Sequence, residues 1–293
     1  MKIAFIGAIE FSKRALELLI EMKLDIVGVC TLERSTFNAD HRDLGKICQG
    51  SNIAWTYTPD INSDESLRWL KNKNPDVIFC FGWSKLLGKS LLDIAPMGVI
   101  GFHPAALPAN RGRHPLIWAL VLGLSETAST FFFMDESTDG GDILSQQNIR
   151  IFEYDDAKTL YEKVTVCALD QIRTFVPQLA SGVAPRMVQD NEKANVWRKR
   201  GDVDGRIDWR MSAITIHNLV RGLTKPYIGA HIKYKDEIIK VWETKVIRGG
   251  EENIEPGKVI LVDNNGIVVK TGKNAIRLIK TEPVLDIRPG SYL

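Results

Sequence analysis

Gly98-Val99-Ile100-Gly101-Phe102-His103-Pro104-Ala105-Ala106-Leu107-Pro108 is the stretch on which the reading of this chain turns. An uninterrupted apolar run suits a strand buried on both faces of a sheet. The run delivers His103 into a turn whose prolines fix the backbone. A histidine at the carboxyl end of an inner strand stands where ligands of open α/β sheets bind. A basic, Gly-bearing segment follows, Asn110-Arg111-Gly112-Arg113-His114-Pro115. A second apolar run, Thr130 to Met134, then opens into Asp135-Glu136-Ser137-Thr138-Asp139-Gly140-Gly141-Asp142. A histidine at one strand end and carboxylates at the next is a layout for proton transfer. The same carboxylate cluster also suits a divalent metal, and Gly140-Gly141 permits close approach of backbone to a ligand.

Working outward, the chain alternates strand and helix signals. Lys2–Ile6, Leu24–Thr31, Ile53–Tyr57, Asp76–Phe81, Val99–Phe102 and Thr127–Phe133 read as strands. Phe11–Met22 and Glu65–Lys73 read as helices between them. This alternation predicts an α/β fold with a mostly parallel sheet covered by helices on both faces. A long helix is expected over Ala157–Ala180, with Asp155-Asp156 as caps at its start and Ser181-Gly182 at its end. Beyond Gly182 the segment to Gly201 is polar and aperiodic, as a linker or a segment lying across a surface would be. A short helix is expected at Ala213–Gly222. Five short strands then follow, with Asp263-Asn264-Asn265-Gly266 as a hairpin turn, and they predict a small C-terminal β-barrel-like domain. The expected boundaries are 1–183, a linker at 184–208, and 209–293.

At 293 residues, with 44% hydrophobic and 25% charged residues, the composition is that of a soluble globular protein. A net charge of +2 supplies no basic excess for a nucleic-acid or membrane surface. No run reaches the length of a membrane span, and the first apolar run is too short for a signal peptide, so a cytoplasmic location is expected. Cys30, Cys48, Cys80 and Cys167 show no metal-ligand spacing and read as reduced and buried.

Each candidate carries a bland alternative. Gly7-Ala8-Ile9-Glu10-Phe11-Ser12 opens the first helix, where free N–H groups attract anions, yet a turn capped by its own side chains explains it equally well. It is neither GxGxxG nor a Walker loop. Asp40-His41-Arg42-Asp43 suits a solvated loop better than a ligand set. Arg111 and Arg113 can hold an anion bidentately, and surface ion pairs account for them nearly as well.

These residues resemble a known family. Pro75-Asp76-Val77-Ile78, Gly98 through Pro108, Arg111-Gly112, Pro115, Trp118-Ala119, Gly123, Glu126-Thr127, Met134, Asp139, Gly141 and Gln146 are similar to the folate-dependent formyltransferases. That superfamily includes methionyl-tRNA, glycinamide ribonucleotide and sugar N-formyltransferases. Asp204-Gly205-Arg206-Ile207-Asp208-Trp209, Asn218-Leu219-Val220-Arg221 and Pro226-Tyr227-Ile228-Gly229-Ala230 resemble the segment leading into its small C-terminal domain. The resemblance implies a Rossmann-like domain, an OB-like C-terminal domain and formyl transfer from 10-formyltetrahydrofolate to a primary amine.

Residue by residue, the resemblance implies that His103 stabilises the oxyanion and moves protons. Asp139 would favour the charged form of His103 and orient a bridging water. Trp83, Lys85, Leu86, Leu87, Asp135, Glu136 and Thr138 would hold the folate, largely through main-chain groups, with no metal. Gly101 departs from the family pattern, which has asparagine there; an oxyanion donor is missing, and Asn110, a backbone N–H or a water would have to replace it. Glu10, Ser12, Asn38, Asp40, Arg111 and Arg113 are the expected acceptor contacts. The mixed loop from Leu32 to Asp43 suits hydroxyl groups better than RNA phosphates. The expected acceptor is therefore a nucleotide-linked amino sugar, a pseudaminic-type or dideoxy precursor of a surface glycan polysaccharide, and nucleic acid is not expected as a partner. The alternatives are a methionyl-tRNA substrate and a catalytically weak folate-binding protein, and a homodimer is expected from the family.

Overall fold

The computed structural model describes residues 1–35, 39–249 and 252–293. In chain order the first elements are β1 (Lys2–Ile6), α1 (Glu10–Glu21), β2 (Asp25–Thr31), α2 (Gly45–Gly50), β3 (Trp55–Tyr57), α3 (Asp64–Lys73) and β4 (Val77–Cys80). Next come α4 (Lys89–Leu92), β5 (Val99–His103), β6 (Arg111–Gly112), α5 (Pro115–Val121), β7 (Glu126–Phe133), β8 (Ile143–Arg150) and α6 (Ala157–Ala180). The chain closes with β9 (Val196–Trp197), α7 (Ala213–Leu223), β10 (Ala230–Tyr234), β11 (Glu237–Ile247), β12 (Val259–Asp263), β13 (Gly266–Lys270) and β14 (Ala275–Glu282).

Two compact units divide the chain. The first comprises Met1–Gly112, Ala128–Ile149 and Lys163–Val196. Its sheet has the order β3-β2-β1-β4-β5-β7-β8, with parallel pairing from β3 through β5 and an antiparallel β5–β7 ladder. The inner strands are apolar because both their faces are covered: every residue of β4 is buried, as are Ile3 to Ile6 of β1. This is the expected mostly parallel α/β sheet. Helix signals are equally local. In α3, Ser63 accepts the Ser66 N–H at 3.3 Å, acidic residues fill the first turn and lysines the last.

The second unit comprises Arg113–Thr127, Arg150–Glu162 and Trp197–Leu293. Its antiparallel sheet runs β10-β11-β14-β13-β12. Ile216, Leu219, Val220 and Leu223, spaced to share one face of α7, join Ile232, Val241, Val269, Ile276 and Leu278 in its core. No hydrogen-bonded ladder joins β10 to β12 among the described residues, so this is a five-stranded sheet. The expected hairpin turn at Asp263–Gly266 is present. Asp263 pairs with Gly266, so Asn264-Asn265 form the two-residue loop and Gly266, at φ +120°, opens the next strand.

Sequential boundaries do not describe these units. Residues 113–127 and 150–162, expected in the first domain, group with the C-terminal unit. The first half of the expected linker packs as part of the N-terminal unit: Met187 pairs with Ile143, and Gln189 is buried. The physical reason is polar satisfaction: Gln189 donates to the Asp139 and Gly141 carbonyls of the N-terminal unit. At the start of α6, Asp156 accepts the Thr159 N–H and Thr159 accepts the Asp156 N–H, each at 2.9 Å. Asp155 instead receives the Phe152 N–H at 2.7 Å. No described helix is long and apolar enough to cross a membrane.

Candidate active site

His103 ends β5 and is buried, with 5% of its surface exposed. Its Nε2 lies 2.8 Å from the Asn110 carbonyl oxygen. A carbonyl only accepts, so Nε2 carries hydrogen and donates. That assignment leaves Nδ1 as the basic nitrogen, and Nδ1 faces the Asp139 carboxylate at 3.6 Å. The spacing is too long for a firm hydrogen bond, and a carboxylate at that distance would attract a protonated imidazole. Nε2 is therefore the anchor, and Nδ1 is the nitrogen able to exchange a proton.

Asp139 is placed by its loop. The Phe133 N–H donates to the Asp142 carbonyl at 2.8 Å, closing a loop from the end of β7. Gly141 lets the loop close, since a Cβ there would lie 1.8 Å from the Phe133 carbonyl oxygen. Asp139 itself adopts φ +52°, a left-handed conformation that Asp and Asn tolerate better than most residues. Its Oδ2 accepts the Gly112 N–H at 2.9 Å. The other acidic residues take structural roles: Asp135 Oδ1 accepts from the Ser137 N–H at 2.8 Å, and Asp142 pairs with Arg186 at 3.3 Å. Among the described residues, no group of three or more His, Cys, Asp or Glu is placed to hold a metal ion.

At Gly101 the surroundings are filled. An added Cβ would lie 2.7 Å from Cγ and 3.0 Å from Sδ of Met134, and 3.0 Å from the Phe132 ring. A thioether, which donates no hydrogen bond, thus packs over the position where the family pattern has a carboxamide. Asn110, the residue suggested as a replacement donor, meets His103 through its main-chain carbonyl.

The other expected residues fall as follows. Ser12 is fully buried, donates to the Phe81 carbonyl at 2.5 Å and accepts the Ala8 and Ile9 N–H groups, each at 3.2 Å. These contacts cap the β1–α1 turn from within. Glu10 is held by Arg42 at 2.6 Å, and its N–H donates to the Asp40 carbonyl at 2.9 Å. Asn38 lies outside the described residues. The Arg111 guanidinium donates to Gln189 Oε1 at 2.7 Å and Asn191 Oδ1 at 2.9 Å, so it is engaged internally. Arg113 belongs to the C-terminal unit, where its N–H donates to the Trp197 carbonyl at 3.0 Å.

In the segment after β4, Lys85 Nζ donates to the Pro59 carbonyl at 2.5 Å, and Asn62 Nδ2 donates to the Leu86 carbonyl at 3.0 Å. Leu86 is 70% exposed while Leu87 is buried. The Trp83 indole N–H is buried without a hydrogen-bond partner among the described residues. A buried donor left unpaired costs free energy unless a ligand or water meets it. Glu136 and Thr138 are exposed on the neighbouring loop. A separate cavity of about 350 Å³ opens in the C-terminal unit, lined by His217, Arg221, Lys225, Trp242 and their neighbours. It contains neither member of the His103–Asp139 pair.

Gln189 and Asn195 were not legible as site residues. Both lie in the polar, aperiodic stretch read as linker, and both bond to the residues that surround His103.

A buried histidine facing a carboxylate at the end of an inner strand is a layout suited to acid–base transfer on an α/β scaffold. The formyl transferase profile matches residues 1–171, and the formyl transferase C-terminal domain profile matches residues 201–284. The chain belongs to the formyl transferase family. It is 30% identical over 287 residues to methionyl-tRNA formyltransferase of Caldanaerobacter subterraneus subsp. tengcongensis, covering 96% of this chain and 92% of that protein. Its fold is similar to the N-formyltransferase from Helicobacter canadensis in complex with folinic acid and dTDP-3-aminofucose, with a TM-score of 0.72 and 15% identity over 96% of this chain and 99% of that one. HypX from Aquifex aeolicus, solved with tetrahydrofolic acid, gives a TM-score of 0.69 at 16% identity, covering 96% of this chain and 44% of HypX.

Proposed function

We propose that this protein transfers a formyl group from 10-formyltetrahydrofolate to the primary amine of a nucleotide-linked amino sugar. The bound folate would supply the activated formyl carbon, held by the main chain from Trp83 to Leu87, the Trp83 indole N–H and the Asp135–Asp139 loop. His103 does the acid–base work. With Nε2 tied to Asn110, Nδ1 takes the proton shed by the attacking amine. The resulting imidazolium sits 3.6 Å from the Asp139 carboxylate, which stabilises it until Nδ1 returns the proton to the leaving nitrogen. Protonated Nδ1 also presents a donor to negative charge developing at the reacting oxygen.

The observation supporting a small acceptor over RNA is that five arginines are paired with carboxylates, in a chain whose formal net charge is +2. Arg42 pairs with Glu10, Arg198 with Asp204, Arg210 with Asp208, Arg186 with Asp142 and Arg277 with Asp263. Guanidinium groups neutralised by neighbouring carboxylates have little net charge to offer a phosphate backbone, whose binding depends on releasing counterions. A methionyl-tRNA acceptor is the second reading, favoured by the 30% identity to a methionyl-tRNA formyltransferase along nearly the whole chain. The test incubates the protein with 10-formyltetrahydrofolate and either a panel of nucleotide amino sugars or charged initiator tRNA, and identifies formylated product by mass. Formylation of a sugar amine supports the first reading. Formylation of the tRNA alone establishes the second, and a His103→Ala variant with full activity would refute the role given to His103.

A further inference from the structure

His103 has two partners, and one short segment holds both of them. We propose that residues 189–195 form a positioning strap for the acid–base pair, with Gln189 and Asn195 as its positioning residues; the inference rests on the formyl-transfer reading above. The segment lies between the two family profiles, which end at residue 171 and resume at residue 201.

Gln189 secures the Asp139 side. It is 5% exposed, and its Nε2 donates to the carbonyls of Asp139 at 2.8 Å and Gly141 at 2.6 Å. Its Oε1 accepts from Arg111 Nε at 3.3 Å and from the terminal guanidinium nitrogen at 2.7 Å. Two acceptors on one side and a donor fork on the other permit a single orientation of the carboxamide. Such a bridge fixes the backbone on both sides of Gly140, at the point where Asp139 is held in a left-handed conformation. Asn195 secures the other side. Its Oδ1 accepts the Asn110 N–H at 2.7 Å, and its carbonyl accepts the Arg111 N–H at 3.0 Å. The Asn110 carbonyl, set by those bonds, is the acceptor that anchors His103 Nε2. Arg111 ties the two halves together, since its guanidinium also donates to Asn191.

The arrangement serves geometry and not merely stability. The spacing from Nδ1 to Asp139 is determined by where the Asn110 carbonyl and the Asp139 loop sit, and both are fixed by hydrogen bonds from the strap. Misplacement of catalytic groups by about 1 Å commonly costs about 10²-fold in rate.

Three variants separate the roles. Gln189→Glu keeps an acceptor for Arg111 but turns a carboxylate toward two carbonyl oxygens. Asn195→Ala removes the acceptor for the Asn110 N–H at an exposed position, where folding is not at risk, and Asn195→Asp restores it. Expected outcomes are a kcat about 10²-fold lower in Q189E and about 10-fold lower in N195A. Recovery to near wild type is expected in N195D, with KM for the amine within about threefold throughout. Amide exchange at Gly112, whose N–H donates to Asp139, should quicken at least about tenfold in Q189E while β1 and β4 amides are unchanged. Unchanged kcat in both Q189E and N195A, equal losses in N195A and N195D, or unaltered Gly112 exchange in Q189E would overturn the strap. Should the wild type formylate no amine at all, the formyl-transfer reading fails by itself, and Gly112 exchange in the free protein still decides whether the strap holds Asp139.

Discussion

Replacing Asp139 by asparagine isolates the charge in the His103 pair from its shape. The carboxamide is the same size, its oxygen can still accept the Gly112 N–H, and asparagine tolerates φ near +52° as well as aspartate does. What disappears is the anion facing Nδ1. At 3.6 Å and an effective dielectric constant near 20, two unit charges attract by about 4 to 5 kcal/mol. Asp139 retains 20% side-chain exposure, so solvent screening reduces this to about 2 to 3 kcal/mol. If His103 becomes cationic in the transition state, that loss corresponds to about a 10²-fold lower kcat, at about 1.4 kcal/mol per tenfold. Single-turnover formyl transfer measures it directly, with thermal unfolding as the control for folding. A folded D139N enzyme retaining more than about a third of wild-type kcat would refute the argument, because no charge on His103 would then be relieved by Asp139.

Gly101→Asn should destabilise the fold by about 1 to 3 kcal/mol through overpacking against Met134, and adding Met134→Ala should recover part of the loss in denaturant unfolding. A single variant as stable as wild type would contradict the packing described here. Burial pushes the Cys30 thiol up to about 12 and, with Asp43 nearby, Cys48 also to about 12, while burial and Cys30 drive Cys80 up as well. Iodoacetamide at pH 8 should therefore leave these three intact in the native protein and modify them in denaturant, as read by mass spectrometry; native labelling at the rate of a free thiol would be inconsistent with that burial. Burial lowers the proton affinity of His114, His217 and His231, helped by Arg113 at the first and Arg221 at the second. Below the ordinary histidine value of 6.5 the unfolded chain binds more protons at these sites than the folded one, so stability present above that pH is lost as pH falls toward the depressed folded values. Urea midpoints at pH 7.5 and 5.5 should fall on acidification, and a midpoint that rises would count against it.

Much of the frame was readable from local pattern. Inner strands are continuous apolar runs because both faces are covered, so β1, β4 and β5 announced themselves, and His103 was found by its place at the end of one. Helix α6 carried its own start and stop signals. Strand β8 escaped because it closes the sheet at one end, and Ile143–Arg150 exposes Gln147, Asn148 and Arg150 along its length. Helix α5 escaped because seven residues show too little period. The strap escaped for a different reason. Gln189 bonds to residues 48 and 50 positions earlier in the chain, and a buried carboxamide with distant partners looks, in sequence, like any polar residue of a loop. Arg111 was legible only as a charge, and its bonds to Gln189 and Asn191 have no local signal in the sequence either.

If His103 acts as proposed, the exchange of a carboxamide for hydrogen at Gly101 concentrates the chemistry on it. In the family pattern two side chains on the same face of one strand share the developing charge. Here Met134 fills the space above Gly101, and a thioether contributes dispersion but no donor. On the His103 ring, Nδ1 can donate only when protonated, because Nε2–H is committed to Asn110. Nδ1 faces the Asp139 carboxylate at 3.6 Å. Under the proposed mechanism, oxyanion stabilisation and proton transfer, separable where two side chains divide them, would become one event governed by the distance from Nδ1 to Asp139. An enzyme arranged in this way gains from a rigid carboxylate more than one with a spare donor would. That is a physical reason for the dense hydrogen bonding around Asp139, and for a strap whose carboxamides meet main-chain groups on both sides of the histidine.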